Sequence, residues 1–435
     1  MRHLHDRRGL HGDDRWEPES PDGVYDWEAT GQGRHGPGSQ ASVGSSLTIG
    51  RSLSGVRVLD LSRLLPGPYA TWVLSTMGAE VLKVEDPGMG DYARVAPPHI
   101  GPVSAFFHVM NRGKRSVVID LKKDEGRGLL LRLVRDVDIV FEQFRPGVLD
   151  RLGLTYEALR QARPDIILCS LSGYGQDGPL AAKAGHDINY QALAGTLWLG
   201  GLENQRPPVP AIPFADLCGS LHAVSAIVAA LLQRERTGEG AWLDLAMADC
   251  IAAVAAPSVA GWTQDGQDAP GRGEGVLNGG IAQYDTYETK DGGYLAVGAL
   301  EPKFFALFAG LAGHPEWMEV PPVPGPHQAS LRASVRRVVA DKTRDEWVEL
   351  LEGVDCCVSP VLNPAEAARH PQFAARSLAR VAGESSGPGC WVDSPLGPEV
   401  EGPAPTQGQH TDEVLKEWGF TPEDVADLRA RGVVG

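Results

Sequence analysis

Gly55-Val56-Arg57-Val58-Leu59-Asp60-Leu61, followed by Leu65-Pro66-Gly67-Pro68 and then by Glu80-Val81-Leu82-Lys83-Val84, decides the fold. Val56–Leu61 reads as a buried strand, the prolines open a helix that runs to about Met77, and Glu80–Val84 reads as a second strand. Strand, helix and strand at this spacing make a β-α-β unit, which implies a parallel pair joined by a right-handed crossover. The pattern then repeats. Ser116–Leu121 reads as a strand, Asp124–Asp136 as a helix with Leu129, Leu130 and Leu133 on one face, and Ile139–Phe144 as a strand. Tyr156–Arg163 reads as a short helix and Ile166–Leu171 as a strand. The expected fold class is therefore α/β, a doubly wound, Rossmann-like parallel sheet. The glycine fingerprint of dinucleotide binding is missing after the first strand, so a nicotinamide cofactor is not implied.

Upstream, residues 1–50 are rich in Gly, His, Arg, Asp and Ser and carry no period. Such a segment cannot bury enough apolar surface to offset its ordering entropy and reads as a disordered tail. Downstream, Leu217–Arg236 is the clearest helix, with Gly238 beyond its end and Asp216 at the expected N-cap position. After about residue 250 the pattern changes. Tyr284–Glu288 and Tyr294–Ala299 flank Lys-Asp-Gly-Gly as a hairpin, and helices follow near 302–312, 329–341 and 344–352. Thr343 with Glu346 forms a capping box, Val358–Leu362 reads as a strand, and Asn363-Pro364 opens a helix. The division expected is 51–249 as a large domain, 250–365 as a smaller α+β domain, and 366–435 as a connection, Gly/Pro/Ser-rich over 380–408, with two last helices.

Hydrophobic residues make up 42% and charged residues 22%, values that allow a real core. The formal charge of −16 argues against nonspecific binding of nucleic acid or an anionic membrane, while leaving room for a local basic patch. The sequence has no run of 18 apolar residues, no apolar leader and no C-x-x-C pair, and its terminal Gly-Val-Val-Gly is not a peroxisomal signal. A cytoplasmic location is the expectation.

Four sets of residues could carry chemistry. His186, in Gly185-His186-Asp187-Ile188-Asn189-Tyr190, sits just ahead of a helix, where imidazole can act as general base or acid; the plain alternative is a solvated turn histidine. Asp216 is either an N-cap or a carboxylate set beside helix N–H groups that could also serve a developing oxyanion. Glu301 in Leu300-Glu301-Pro302 could orient a histidine from elsewhere. Arg112, Lys114 and Arg115, with Lys122, Lys123 and Arg145 at other strand ends, suit phosphate binding; solvated turns or a packed arginine are the alternatives.

Taken together, these stretches resemble the class III CoA-transferase superfamily from about Gly55 to the C-terminus. The likeness rests on Gly55–Leu61, Pro66-Gly67-Pro68, Met77–Val81, Asn111–Ser116, Phe144–Val148 and Leu171–Gly175. Within it, Gly185–Tyr190, Phe214-Ala215-Asp216, Asn278-Gly279-Gly280, Gly298–Phe305 and Gly408–Glu413 look most like the α-methylacyl-CoA racemases. That resemblance implies His186 and Asp216 as the two proton-transfer groups and Glu301 as support for the histidine. It implies contact with coenzyme A along Val118–Leu121, which includes Asp120 and Leu121, and along Gly185, Asp187 and Tyr190. It also implies an interlocked homodimer, a C-terminal segment that returns to the large domain, and no cofactor beyond the CoA of the substrate. Two departures stand out: Asp86 precedes Pro87 where racemases often have Arg, and Leu221, Val276 and alanines stand where racemases tend to have Met. The activity implied is racemisation of 2-methylacyl-CoA thioesters by 1,1-proton transfer through an enolate. The alternative is CoA transfer between carboxylates with Asp216 as nucleophile, a branch that generally lacks the histidine. A catalytically silent acyl-CoA-binding protein is a third reading.

Overall fold

The computed structural model describes residues 51–100, 103–202, 205–260, 271–376, 394–396 and 402–435. The expected tail over 1–50 and most of the expected connection over 380–408 lie outside these residues. Strands β1 (Arg57–Asp60), β2 (Glu80–Glu85), β3 (Arg115–Val118), β4 (Ile139–Glu142), β5 (Ile167–Ser172) and β6 (Ala241–Ala246) form one six-stranded sheet. All neighbours are parallel, and the order is β3-β2-β1-β4-β5-β6. Strand order therefore reverses between β1 and β4, the doubly wound arrangement anticipated from the opening unit. A three-stranded antiparallel sheet, β9-β8-β7, uses β7 (Tyr284–Glu288), β8 (Tyr294–Gly298) and β9 (Val358–Pro360).

The helices that matter for the site are α1 (Pro66–Thr76), α2 (Asp124–Val134), α3 (Tyr156–Ala162), α4 (Asp187–Leu193), α5 (Phe214–Thr237) and α6 (Met247–Val259). The smaller sheet carries α7 (Pro302–Leu311), α8 (Gln328–Val339) and α9 (Arg344–Leu351), and α10 (Thr411–Glu417) and α11 (Pro422–Ala430) close the chain. The capping box at Thr343 and Glu346 forms as expected.

A parallel sheet buried on both faces sends successive side chains into two separate cores. Val58, Ile139 and Ile167 pack with Trp72, Ala223 and Ile227 of α1 and α5. Leu59, Val140 and Leu168 pack on the opposite side with Leu129, Leu130 and Leu133 of α2. Val414 and Leu415 of α10 and Val425 and Leu428 of α11 join that second core, so the last helices rest on the parallel sheet. A third core joins Tyr287 and Val297 to Phe308, Val335 and Trp347. The described residues nonetheless belong to one compact unit.

Strand β6 and helix α6 have no counterpart in the elements expected from sequence. Helix α5 begins at Phe214, three residues before its expected start, and is long and apolar enough to cross a membrane by length and composition. Its Ala223, Ile227 and Ala230 are buried, and it packs on α1, α4, α6, β5 and β6, which makes it a core helix.

Candidate active site

A cavity of about 1100 Å³ opens at the carboxyl ends of the parallel strands. Leu61–Pro66 follow β1, Glu85 ends β2, Ile119–Lys122 follow β3, Gln143–Arg145 follow β4, Leu171–Gly173 span the end of β5, and Met247 follows β6; all line it. This is the crevice at the topological switch point, where doubly wound sheets bind ligands. Helix α1 starts at its edge yet offers little to a phosphate. Pro66 and Pro68 have no N–H, and the Gly67 N–H donates to Gln143 Oε1 at 2.9 Å. Only glycine fits there, since a Cβ would lie 2.2 Å from that of Ser62.

His186 is the N-cap residue of α4 and lines the cavity. Its backbone N–H donates to Asn189 Oδ1 at 3.0 Å, which fixes the turn at the cavity wall. Tyr190 braces the same turn: its hydroxyl donates to the Gly185 carbonyl at 2.7 Å, and its ring meets Tyr174 edge-on. A Cβ on Gly185 would lie 2.7 Å from the Tyr190 ring and 2.9 Å from the Tyr174 hydroxyl oxygen. Gly185→Ala is thus expected to displace His186 and to lower turnover about 100-fold, given how steeply rate falls with an ångström of misplacement. Steady-state assays beside a thermal melt check this. Burial, reinforced by the charge of Asp216, pushes Tyr190 up to about 12, so its hydroxyl remains a donor.

Asp216 lies in the first turn of α5, two residues after Phe214, with Pro213 rather than Asp216 at the N-cap. The expected cap is therefore corrected, and the helix end is capped from outside. Asp187 Oδ1 accepts the N–H groups of Ala215 at 2.7 Å and Asp216 at 3.2 Å, and Asp187 Oδ2 accepts Gln191 Nε2 at 2.6 Å. Two consequences follow. The N–H groups expected to meet a developing oxyanion are already engaged, and Asp216 loses the donors that would have favoured its own charge. Burial first, and the Asp187 charge second, push Asp216 up to about 7. Asp216 lines the cavity with His186, Asp187 and Tyr190.

The basic cluster divides. Lys114 does not face the cavity: its ammonium is fully buried, paired with Asp60 at 3.1 Å and bonded to Thr71 Oγ1, Asn111 Oδ1 and the Pro68 carbonyl. No hydrogen is left for a phosphate. Arg112 is buried with its guanidinium over the Trp72 ring, and Arg115 is paired with Glu413 and Glu417 of α10. Val118 is a core residue of β3 whose N–H donates to Thr411 Oγ1. These expected phosphate or CoA contacts are corrected to structural roles. Asp120, Leu121, Lys122, Arg145 and Gly185 do line the cavity. So do Arg63, Arg151 and Lys183, which the sequence reading missed. Among the described residues none of Arg63, Lys122, Arg145, Arg151 and Lys183 pairs with a carboxylate; Arg63 lies over the Tyr92 ring at 4.8 Å. These five cationic side chains share the lining with the carboxylates of Glu85, Asp91, Asp120, Asp187 and Asp216. Asp86 also lines the cavity, with its carboxylate accepting the Gly88 N–H at 2.8 Å.

Glu301 is exposed at the N-cap of α7 and does not line the cavity of its own chain. Leu221 and Val276 are exposed and also stand outside it, whereas Met247 is part of the lining.

The sequence profile of CoA-transferase family III matches residues 53–411. Human alpha-methylacyl-CoA racemase is 35% identical over 398 residues, covering 88% of this chain and 97% of its own. Human succinyl-CoA:glutarate CoA-transferase is 32% identical over 401 residues, covering 88% and 90%. The crystal structure of a CaiB/BaiF family protein from Brucella suis superposes with a TM-score of 0.71 at 31% identity, over 85% of this chain and 100% of that one. Racemase and transferase relatives thus stand at similar identity, and the expected preference for the racemases is not singled out by them. What the fold, the switch-point cavity and these likenesses establish together is that the chain belongs to CoA-transferase family III.

Proposed function

We propose that the protein interconverts the two configurations of 2-methylacyl-CoA thioesters by 1,1-proton transfer. The observation that carries this reading is that His186 and Asp216, 30 residues apart in sequence, line one cavity from helix ends tied together by Asp187. A thioester acidifies its α-hydrogen because the enolate places charge on oxygen. One group removes the proton from one face and the other returns a proton to the opposite face. A carboxyl of ordinary acidity is wholly ionised near pH 7 and cannot donate; Asp216, at about 7, has both forms available. The two directions need the same single proton on the His186–Asp216 pair and differ only in which group holds it, so both are expected to follow one pH dependence in which Asp216 inflects near 7. Values of kcat/KM from each enantiomer across this range check that the two profiles coincide and share that inflection.

Arg63, Lys122, Arg145, Arg151 and Lys183 would hold the phosphates of CoA at the mouth. Reversal of charge at Lys183 or Arg151 is expected to raise KM for the acyl-CoA about tenfold with kcat little changed, the signature of lost uniform binding. We further infer that Glu301 reaches His186 from a second chain. Leu193, Trp198, Val209, Ile212 and Phe214 are all more than 49% exposed in the single chain, which supports a partner covering them.

CoA transfer with Asp216 as nucleophile is the second reading, favoured by the transferase among the relatives. Thioester formation from a panel of added carboxylates separates the two. The proposal expects background levels in every case; rapid acceptor-dependent transfer would overturn it.

A further inference from the structure

Asp187 was expected to touch coenzyme A, but its carboxylate bonds within the protein. Three donors converge on it: the backbone N–H groups of Ala215 and Asp216, and the amide of the buried Gln191. The residue before it is His186, and one of its donors belongs to Asp216 itself. We propose that Asp187 is a positioning residue, whose carboxylate fastens the turn bearing His186 to the turn bearing Asp216 and keeps a negative charge beside Asp216. This rests on the proton-transfer reading above.

Geometry makes Asp187 the one group suited to both tasks. The bonds span α4 to α5, so a shift of either helix start stretches them. The other elements packed on α5 bring few titratable groups: Tyr69 on α1, Cys169 on β5, Asp244 on β6, and Asp249 and Cys250 on α6. Tyr190 on α4 and His186 at its N-cap join Asp187, and α5 contributes Cys218 and His222 near its start. Of these, Asp187 alone acts on Asp216 by its charge, and it adds to the effect of burial.

Two variants separate charge from anchorage. Asn in Asp187→Asn can still accept the Ala215 and Asp216 N–H groups but carries no charge. Asp187→Ala removes both. The direct readout is the Asp216 carboxyl titration in protein carrying 13C-labelled aspartate, its signal assigned by its loss in Asp216→Asn. Asp187→Asn is expected to move this titration about one pH unit toward acid, and to carry the pH–rate profile of α-hydrogen exchange with it. Asp187→Ala, which also frees the two N–H groups, is expected to make at least that shift and to lower kcat about tenfold or more, with KM little changed. Titration and kcat at wild-type values in both variants would overturn the proposal. Because the titration needs no substrate, it judges Asp187 even if the wild-type protein exchanges no α-hydrogen, a result that would instead remove the proton-transfer reading.

Discussion

His186→Ala and Asp216→Asn are each expected to slow inversion of a 2-methylacyl-CoA by about 10²–10⁴-fold, the usual weight of a positioned acid or base. The two losses should not be alike. Removing one group leaves the other able to take the proton from its own face, exchange it with solvent and return it there. Each variant should therefore wash deuterium into one enantiomer while failing to invert it, and the two variants should choose opposite enantiomers. Chiral separation combined with mass analysis after incubation in D₂O reads both quantities. The transferase reading expects a different outcome: Asp216→Asn inactive and His186→Ala close to wild type, since no proton transfer at carbon is needed.

Lys114→Met is expected to lower the unfolding free energy by about 3–5 kcal/mol, the cost of leaving a buried charge without its partner. Burial alone would push Asp60 up. The Lys114 charge, then that of Lys83, and the hydroxyls of Ser62 and Thr71 outweigh this and hold it at about 2. Without the Lys114 ammonium, a fully buried carboxylate at the end of β1 keeps only the more distant Lys83 and those hydroxyls. Thr71, Asn111 and Pro68 also lose a donor. A urea titration with unchanged slope measures the loss. If Lys114 instead bound a phosphate, KM for the acyl-CoA would rise while stability held.

The contrast between Lys114 and Lys122 marks where sequence reading succeeds and where it stops. The β1-α1-β2 unit was legible because continuous apolar runs, a proline-opened helix and glycine punctuation all agree. Strand β6 was not: Ala241–Ala246 turns Trp242 and Asp244 outward at the sheet edge, and the exposed tryptophan breaks the alternation of apolar and polar residues that marks a half-buried strand. Helix α6 is built from small residues and contains Pro257, which hid its period. The start of α5 was set too late because its cap is Asp187, 27 residues before Phe214 and invisible to a local rule.

The same limit governs the site. His186 and Asp216 could be chosen by motif, and the structure brings both to the cavity. Which of four neighbouring residues, Arg112 to Arg115, turns inward depends on Asp60, 54 residues away from Lys114. Arg151 and Lys183 were missed because no local pattern distinguishes them from ordinary surface charge. Arg151, six residues beyond Arg145, and Lys183, two before Gly185, carried the only available signal: closeness to segments already suspected.

The most direct test follows the α-hydrogen of a single-enantiomer 2-methylacyl-CoA with the wild-type protein in D₂O, no carboxylate acceptor present. The account predicts that deuterium enters the α-position in step with the appearance of the other enantiomer. An α-hydrogen that stays in place, under conditions where the same protein moves CoA to an added carboxylate, would contradict it.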